Sequence, residues 1–376
     1  YELFETDDVE SFLANNDFDG INVTIPYKQT VIPFCAELSD RAKAIGSVNT
    51  IVRRADGTLF GDNTDYYGFQ YMMRKAGVDP RGKKAIVLGS GGASKTVCAV
   101  LANEGAEDIA VISRNGENNY QNLSKHADAQ IIVNTTPVGM YPNCGVSPVS
   151  LECFEKCEAV LDVVYNPSKT ELIRLAEEKG IACANGLSML VAQAKFAGEI
   201  FTGRSIPESE IDRTTEYIES MTKNIVLIGM PGCGKSSVGR MLSELTGREF
   251  SDLDIEIERK SGKSIPQIFA EDGEAEFRRI ETEVLDEFSK KSGMILAAGG
   301  GIVTRPINKR LLRRNSTCVW IRREIKDLPT NGRPVSQAKG VEQIYAERLP
   351  LYMDFAERVY DNCGIRETAE KIREDL

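Results

Sequence analysis

The stretch 224–247, "NIVLIGMPGCGKSSVGRMLSELTG", decides the fold of the C-terminal part of the chain. Its apolar opening reads as a buried strand, the glycine-rich turn interrupts it, and the apolar spacing that follows predicts a helix. In Gly229-x-x-x-x-Gly234-Lys235-Ser236 the glycines let successive backbone N–H groups curl around phosphate oxygens while the helix directs its positive end at them. The candidate nucleotide contacts are therefore Gly232, Cys233, Gly234, Lys235, Ser236 and Ser237. Lys235 would neutralise the outer phosphates and the Ser236 hydroxyl would ligate Mg²⁺. A glycine-rich surface turn is the plain alternative.

Downstream, "SDLDIEIE" at 251–258 places Asp252 and Asp254 two apart, so that one can face a metal and the other an acceptor hydroxyl. Either also reads as a helix-start carboxylate that satisfies the dipole. In "EFRRIE", Arg278 and Glu281 lie at i,i+3 on a helix, close enough for the carboxylate to aim the guanidinium; taken alone the pair reads as a solvated face. Together with "GGG" at 299–301, "GRP" at 332–334 and "ERLPLY" at 347–352, these motifs resemble shikimate kinase over about residues 223–362. The resemblance implies phosphoryl transfer from ATP to the 3-hydroxyl of shikimate. It gives Asp254 the acceptor hydroxyl, Asp252 the support of Mg²⁺ through water, and Arg278, Gly300, Gly301 and Arg348 the grip on the substrate. Two arginines suit a carboxylate, and Gly300 is expected to let the ring approach the backbone. Arg333 lies in a polar stretch with Pro, Gly and Asn, as a catalytic lid would. The stretch 322–340 lacks the arginine-rich helix common in that family, which leaves the adenine contact unassigned.

Upstream, "KKAIVLGSGGASKTVCAVLANEGAEDIAVISRN" at 83–115 reads as strand, glycine turn, helix and strand, one βαβ crossover. The turn Gly89, Ser90, Gly91, Gly92, Ala93, Ser94 is a second phosphate cradle or a merely structural turn. The second strand ends in Ser113 and Arg114 rather than in an acidic residue, which suits the extra phosphate of NADP over the ribose of NAD. "AQIIVNTTP", "AVLDVVY" and "IACANG" supply further buried strands, and "LSMLVAQAKFAGEIF" a helix expected to cross back to the first part of the chain. That first part is mixed α/β, with "ADG" at 55–57 as a hairpin turn and "GINVTIPYK" as a strand ending at Lys28. Lys28 alone reads as a solvated strand-end charge.

The phrases "NVTIPYK", "GSVNT", "GDNTDYYGF" and "NGLSMLVAQA" together resemble shikimate dehydrogenase over about residues 1–220. The resemblance implies NADPH-dependent reduction of 3-dehydroshikimate to shikimate, with Lys28 and Asp65 as the catalytic pair. Asn22, Thr24, Asn49 and Gln193 would hold ring hydroxyls, Tyr165 would face the substrate, and Asn134, Thr135 and Gly186 would line the cofactor. The short segment between "SRN" and "VNTTP" implies an abbreviated nucleotide domain. The family places a Ser-x-Ser motif for the substrate carboxylate in an opening strand, which nothing before Tyr1 supplies, and "YELFE" reads as a strand already under way; this stretch by itself is therefore expected to reduce its substrate weakly or not at all, whereas the complete protein would reduce it.

The expected organisation is α/β throughout: a substrate-binding domain over 1–77 with helices from 188–221, a Rossmann-like NADP domain over 78–187, and a P-loop kinase domain over 222–376. The two cradles differ in length and charge, so no internal repeat relates them. One would hold NADPH and the other ATP, and the product of the first reaction is the substrate of the second. A net charge of −10 without a basic run disfavours nucleic acid, and no apolar stretch is long enough to span a bilayer. Small-molecule substrates are the expected partners and the cytoplasm the expected compartment. Nine cysteines without a C-x-x-C pair, with His126 the lone histidine, read as mostly buried reduced thiols. Two rivals remain: a working kinase beside an impaired dehydrogenase-like ligand sensor or scaffold, and an NTP-driven switch, in which Arg278 and Arg348 would lack a purpose.

Overall fold

The computed structural model describes residues 1–328 and 340–375, and the chain divides into two compact units, Tyr1–Glu216 and Tyr217–Leu376. The first unit opens with helix α1 (Val9–Asn15), N-capped by Asp8 through Ser11 N–H, and strand β1 (Gly20–Asn22). Tyr1–Thr6 belong to no strand, contrary to the sequence expectation, and β1 ends at Asn22. Pro26 has no N–H to give a ladder, and Tyr27 N–H turns back to the Thr24 carbonyl, so Lys28 sits in a turn. Next come β2 (Glu37–Leu38), α2 (Asp40–Ile45), β3 (Thr50–Arg53), β4 (Leu59–Asp62) and α3 (Asp65–Lys75). The "ADG" turn joins β3 to antiparallel β4, and the sheet runs β1-β3-β4-β2.

β5 (Lys84–Leu88), α4 (Gly92–Asn103), β6 (Asp108–Ile112), β7 (Ile131–Asn134), β8 (Ala159–Asp162), α5 (Glu171–Glu178) and β9 (Ala182–Asn185) build an all-parallel sheet ordered β6-β5-β7-β8-β9. Its strands are apolar on both faces: Val87, Ile131, Val133 and Leu161 enter one core, Ile86, Leu88, Ile132 and Val160 the other. Between β6 and β7 lies only a 3₁₀ turn, Leu123–His126, so the crossover is short as read from the sequence. Helix α6 (Leu187–Thr202) returns to pack along α3, tying the parallel sheet back to the first one.

Helix α7 (Ser209–Thr222) contains the division between the units. The second unit has β10 (Asn224–Ile228), α8 (Lys235–Thr246), β11 (Phe250–Asp252), α9 (Leu253–Ser261), α10 (Ile265–Glu271), α11 (Gly273–Ser289), β12 (Ile295–Ala297), α12 (Pro306–Leu312), β13 (Ser316–Arg322), α13 (Val341–Phe355), β14 (Arg358–Asp361) and α14 (Ile365–Asp375). All five strands are parallel in the order β11-β12-β10-β13-β14. β10 is buried along its whole length, and chain order reverses on its two sides, so the loop after it sits where α/β sheets hold ligands. The cysteines depart from the sequence reading: only Cys233 and Cys318 are buried, and Cys153 and Cys363 are exposed. Among the described residues no helix is long and apolar enough to cross a membrane.

Candidate active sites

In the first unit the turn after β1 brings Lys28 to the first residue of α3. Lys28 Nζ donates to Asp65 Oδ2 at 2.6 Å, with both side chains mostly shielded from water. Asn49 explains the placement: its Oδ1 accepts from Thr64 N–H at 2.7 Å, fixing the residue before Asp65, and its neighbour Val48 N–H donates to the Lys28 carbonyl at 2.8 Å. Asn49 Oδ1 thus builds the site, and only its Nδ2 is left for a ring hydroxyl. Asn22 and Thr24 are exposed at and just beyond the end of β1, Asn22 Nδ2 reaching the Asn49 carbonyl at 3.4 Å. Gln193 on α6 lies against Gly68 of α3, one turn from Asp65. Tyr165 is exposed on the loop after β8, and the structure gives it no contact with the Lys28–Asp65 pair.

The second cradle begins at Gly89, whose N–H donates to the Ile112 carbonyl and which lies against Thr135. Thr135 N–H and Oγ1 both donate to the Leu88 carbonyl, locking the turns after β5 and β7 together. Helix α4 starts at Gly91 and Gly92 with no side-chain cap and no acidic residue in its first turn, and a Cβ at either glycine would meet nothing within 4 Å. Open space before uncapped N–H groups fits a dinucleotide phosphate. Ser90 is exposed at the turn and Ala93 half-buried beside it. Arg114 is exposed after β6 and half-buried Ser113 precedes it, consistent with a ribose phosphate.

Two residues have other work than the sequence suggested, and a third is tightly packed. Ser94 is buried against Cys98, so its hydroxyl faces the core. Asn134 is fully buried: its Nδ2 donates to Asp162 Oδ1 at 2.9 Å and its Oδ1 accepts from Thr136 N–H and Oγ1. Gly186 lies against the Val163 carbonyl, where a Cβ would be 2.0 Å away. Asp162, not among the expected site residues, is the hub here. It also accepts from Val164 N–H at 3.0 Å and Thr170 Oγ1 at 2.7 Å, and burial pushes its carboxyl up to about 6. A lone Asp inside an apolar strand, as in "AVLDVVY", is the signal that could have found it.

The second unit contains a cavity of about 580 Å³ with the P-loop on one wall and Arg278 and Arg348 on another. Gly232, Gly234 and Ser237 line it, whereas the Cys233 side chain is buried behind the loop. Lys235 Nζ donates to the Gly229 and Met230 carbonyls at 3.0 Å each, which folds the loop around the ammonium. Ser236 Oγ donates to Asp252 Oδ2 at 2.5 Å, so two hard oxygens converge on one point and fit Mg²⁺. Asp252 Oδ1 caps α9 at Asp254 N–H, turning Asp254 into the cavity; burial raises its carboxyl above the usual range, with Lys235 and Arg278 opposing.

Arg278 is held by Glu281 at 2.8 Å and Glu274 at 3.2 Å. Glu281 is buried with Oε1 unpartnered among the described residues, and burial pushes its carboxyl up to about 7. Arg348 on α13 is buried in the same wall. The glycine triplet differs from expectation: a Cβ on Gly299 would lie 2.7 Å from Asp254, on Gly300 2.6 Å from Pro231, and on Gly301 2.2 Å from Arg278. These glycines admit the site's own side chains, and Gly300, close against Pro231 of the P-loop, still lines the cavity. Phe269 and Ile265 of α10 also line the cavity and were not anticipated. Arg333 lies outside the described residues.

The shikimate kinase family matches residues 231–376, and the shikimate dehydrogenase substrate binding domain matches residues 1–51. Shikimate dehydrogenase (NADP(+)) of Caldanaerobacter subterraneus subsp. tengcongensis is 40% identical over 203 residues, covering 49% of this chain and 72% of that protein. The protein of the same name from Clostridium perfringens is 39% identical over 229 residues, 57% of this chain and 84% of its own. A solved chorismate mutase/shikimate 5-dehydrogenase fusion protein from Clostridium acetobutylicum superposes with a TM-score of 0.53 at 39% identity, covering 56% of this chain and 81% of that one.

Proposed function

The chain belongs to the shikimate dehydrogenase family and continues into a shikimate kinase domain, and on that premise we propose that it catalyses two consecutive steps: NADPH-dependent reduction of 3-dehydroshikimate to shikimate, and ATP-dependent phosphorylation of the shikimate 3-hydroxyl. What carries the proposal is that each family's stretch of chain holds a built site, the Lys28–Asp65 pair in one and the cavity joining P-loop to paired arginines in the other. NADPH brings the hydride, ATP the phosphoryl group, and Mg²⁺ spreads the phosphate charge.

In the reduction, negative charge develops on the ring carbonyl oxygen, and the Lys28 ammonium donates a proton to it as it becomes a hydroxyl. Asp65 accepts from Lys28 Nζ and so orients the ammonium. The uncapped start of α4 would hold the cofactor's diphosphate, and Ser113 and Arg114 after β6 would hold its ribose phosphate. In the phosphorylation, Asp254 takes up the proton of the 3-hydroxyl, and Arg278 and Arg348 fork the ring carboxylate. Lys235 and the loop N–H groups hold the phosphates, with Ser236 and Asp252 directed at the metal. We assign residues 1–77 with the helices over 188–221 to the ring substrate of the first step, 78–187 to NADP, and the chain from 222 onward to the second step. The cytoplasm suits enzymes that draw on NADPH and ATP.

The reading as a ligand sensor with an impaired dehydrogenase is not favoured, because a sensor has no use for a paired ammonium and carboxylate. The test is a coupled assay: NADPH consumed on addition of 3-dehydroshikimate, then ADP released on addition of ATP. ADP release that ignores shikimate would remove the kinase assignment, and NADPH consumption that ignores the keto acid would remove the dehydrogenase.

A further inference from the structure

Asn362 follows β14 and reaches across to the phosphate loop, where its Nδ2 donates to the Cys233 carbonyl at 2.7 Å. The amide is itself held: Asn362 N–H donates to the Arg322 carbonyl at 2.8 Å, and Oδ1 accepts from Thr368 Oγ1 of α14 at 3.4 Å. Accepting through Oδ1 turns Nδ2 toward Cys233. The loop is shaped to receive it, since a Cβ on Gly234 would lie 2.3 Å from Nδ2.

We propose that Asn362 is a positioning residue for nucleotide binding, fixing the Cys233–Gly234 peptide so that the Gly234 N–H faces the phosphates. In a trans peptide the C=O and N–H point in opposite directions, so capturing the carbonyl on the outside of the loop aims the N–H inward. Gly234 lines the cavity, and no backbone carbonyl among the described residues takes its N–H. Gly234 sits at φ +102°, and without a Cβ it resists a peptide flip little. Release of the Cys233 carbonyl lets that peptide rotate and sets a carbonyl oxygen against phosphate charge. Asn362 acts through the loop rather than by touching the reacting atoms.

The inference rests on the reading of the loop as the ATP phosphate site, and the test separates the two. Asn362→Asp keeps the shape and removes the donor. It is expected to weaken calorimetric binding of ADP with Mg²⁺ about tenfold, and to raise the KM for ATP by a similar factor. Tripolyphosphate with Mg²⁺, which has no base, loses the same factor, while shikimate binding to the kinase site, thermal midpoint and NADP⁺-dependent oxidation of shikimate stay at parent values. Asn362→Ala carries the same test where Asn362→Asp fails to fold. Parent-like ADP affinity, a loss confined to ADP with tripolyphosphate unaffected, or an equal loss of ADP and shikimate affinity overturns the positioning role. A parent chain that binds neither ADP nor tripolyphosphate overturns the phosphate-site reading as well.

Discussion

Lys28 and Asp65 come from a turn and a helix start, and their 2.6 Å contact depends on Asn49 holding the backbone of Thr64. Removing the ammonium removes the only identified proton donor to the developing alkoxide. Lys28→Ala is therefore expected to slow NADP⁺-dependent oxidation of shikimate by about 10²–10⁴-fold, the usual range for a general acid–base group. Asp254→Asn is expected to slow ATP-dependent phosphorylation to a comparable extent. Each variant should leave the other rate at its parent value, read from NADPH absorbance and ADP release on one preparation; loss of both rates from either change would contradict the assignments. These residues were legible because their neighbours form dense motifs. Orientation was not: Asn134 ends β7 and Ser94 lies in the first turn of α4, both beside the expected site, yet both side chains face inward, and a sequence shows which element a residue occupies more readily than which way it points.

At the scale of elements, Asp162 links three pieces of the parallel sheet: Asn134 at the end of β7, Val164 after β8 and Thr170, the N-cap of α5. Its carboxyl is raised to about 6 from 3.8 by burial, so between those values the folded chain holds a proton that the unfolded chain has released. Stability from this group is full below the unfolded value and falls as pH rises through the window, by about 3 kcal/mol for a shift of this size. Asp162→Asn is expected to flatten the pH dependence of first-unit stability over that window, measured by urea unfolding from pH 4 to 7; an unchanged slope would assign the fall to other groups. The parallel strands were plain in the sequence because burial on both faces leaves unbroken apolar runs. "YELFE" misled for the opposite reason: strand propensity describes a residue's fit to a sheet, and no neighbouring strand pairs with Tyr1–Thr6.

For the whole molecule, two glycine-rich turns with different chemistry led to the expectation of two nucleotide sites, and the structure puts each turn at the carboxyl end of a strand in its own parallel sheet. The two units have separate cores, so ligands should act on them separately. A ligand at a hundredfold excess over its Kd stabilises its site by about 2.7 kcal/mol. NADP⁺ is expected to shift one step of the denaturation curve, ADP with Mg²⁺ the other, and shikimate both. A single transition moved by every ligand would mean that the units unfold as one. What no motif reported was the tertiary packing that makes the sites, such as Pro231 and Arg278 closing on the glycine triplet.

That triplet leaves an engineer no foothold. Three successive backbone positions are each closed by a different functional neighbour, Asp254, Pro231 and Arg278, so widening or reshaping the kinase for another acceptor must begin elsewhere in the lining, at Phe269 and Ile265.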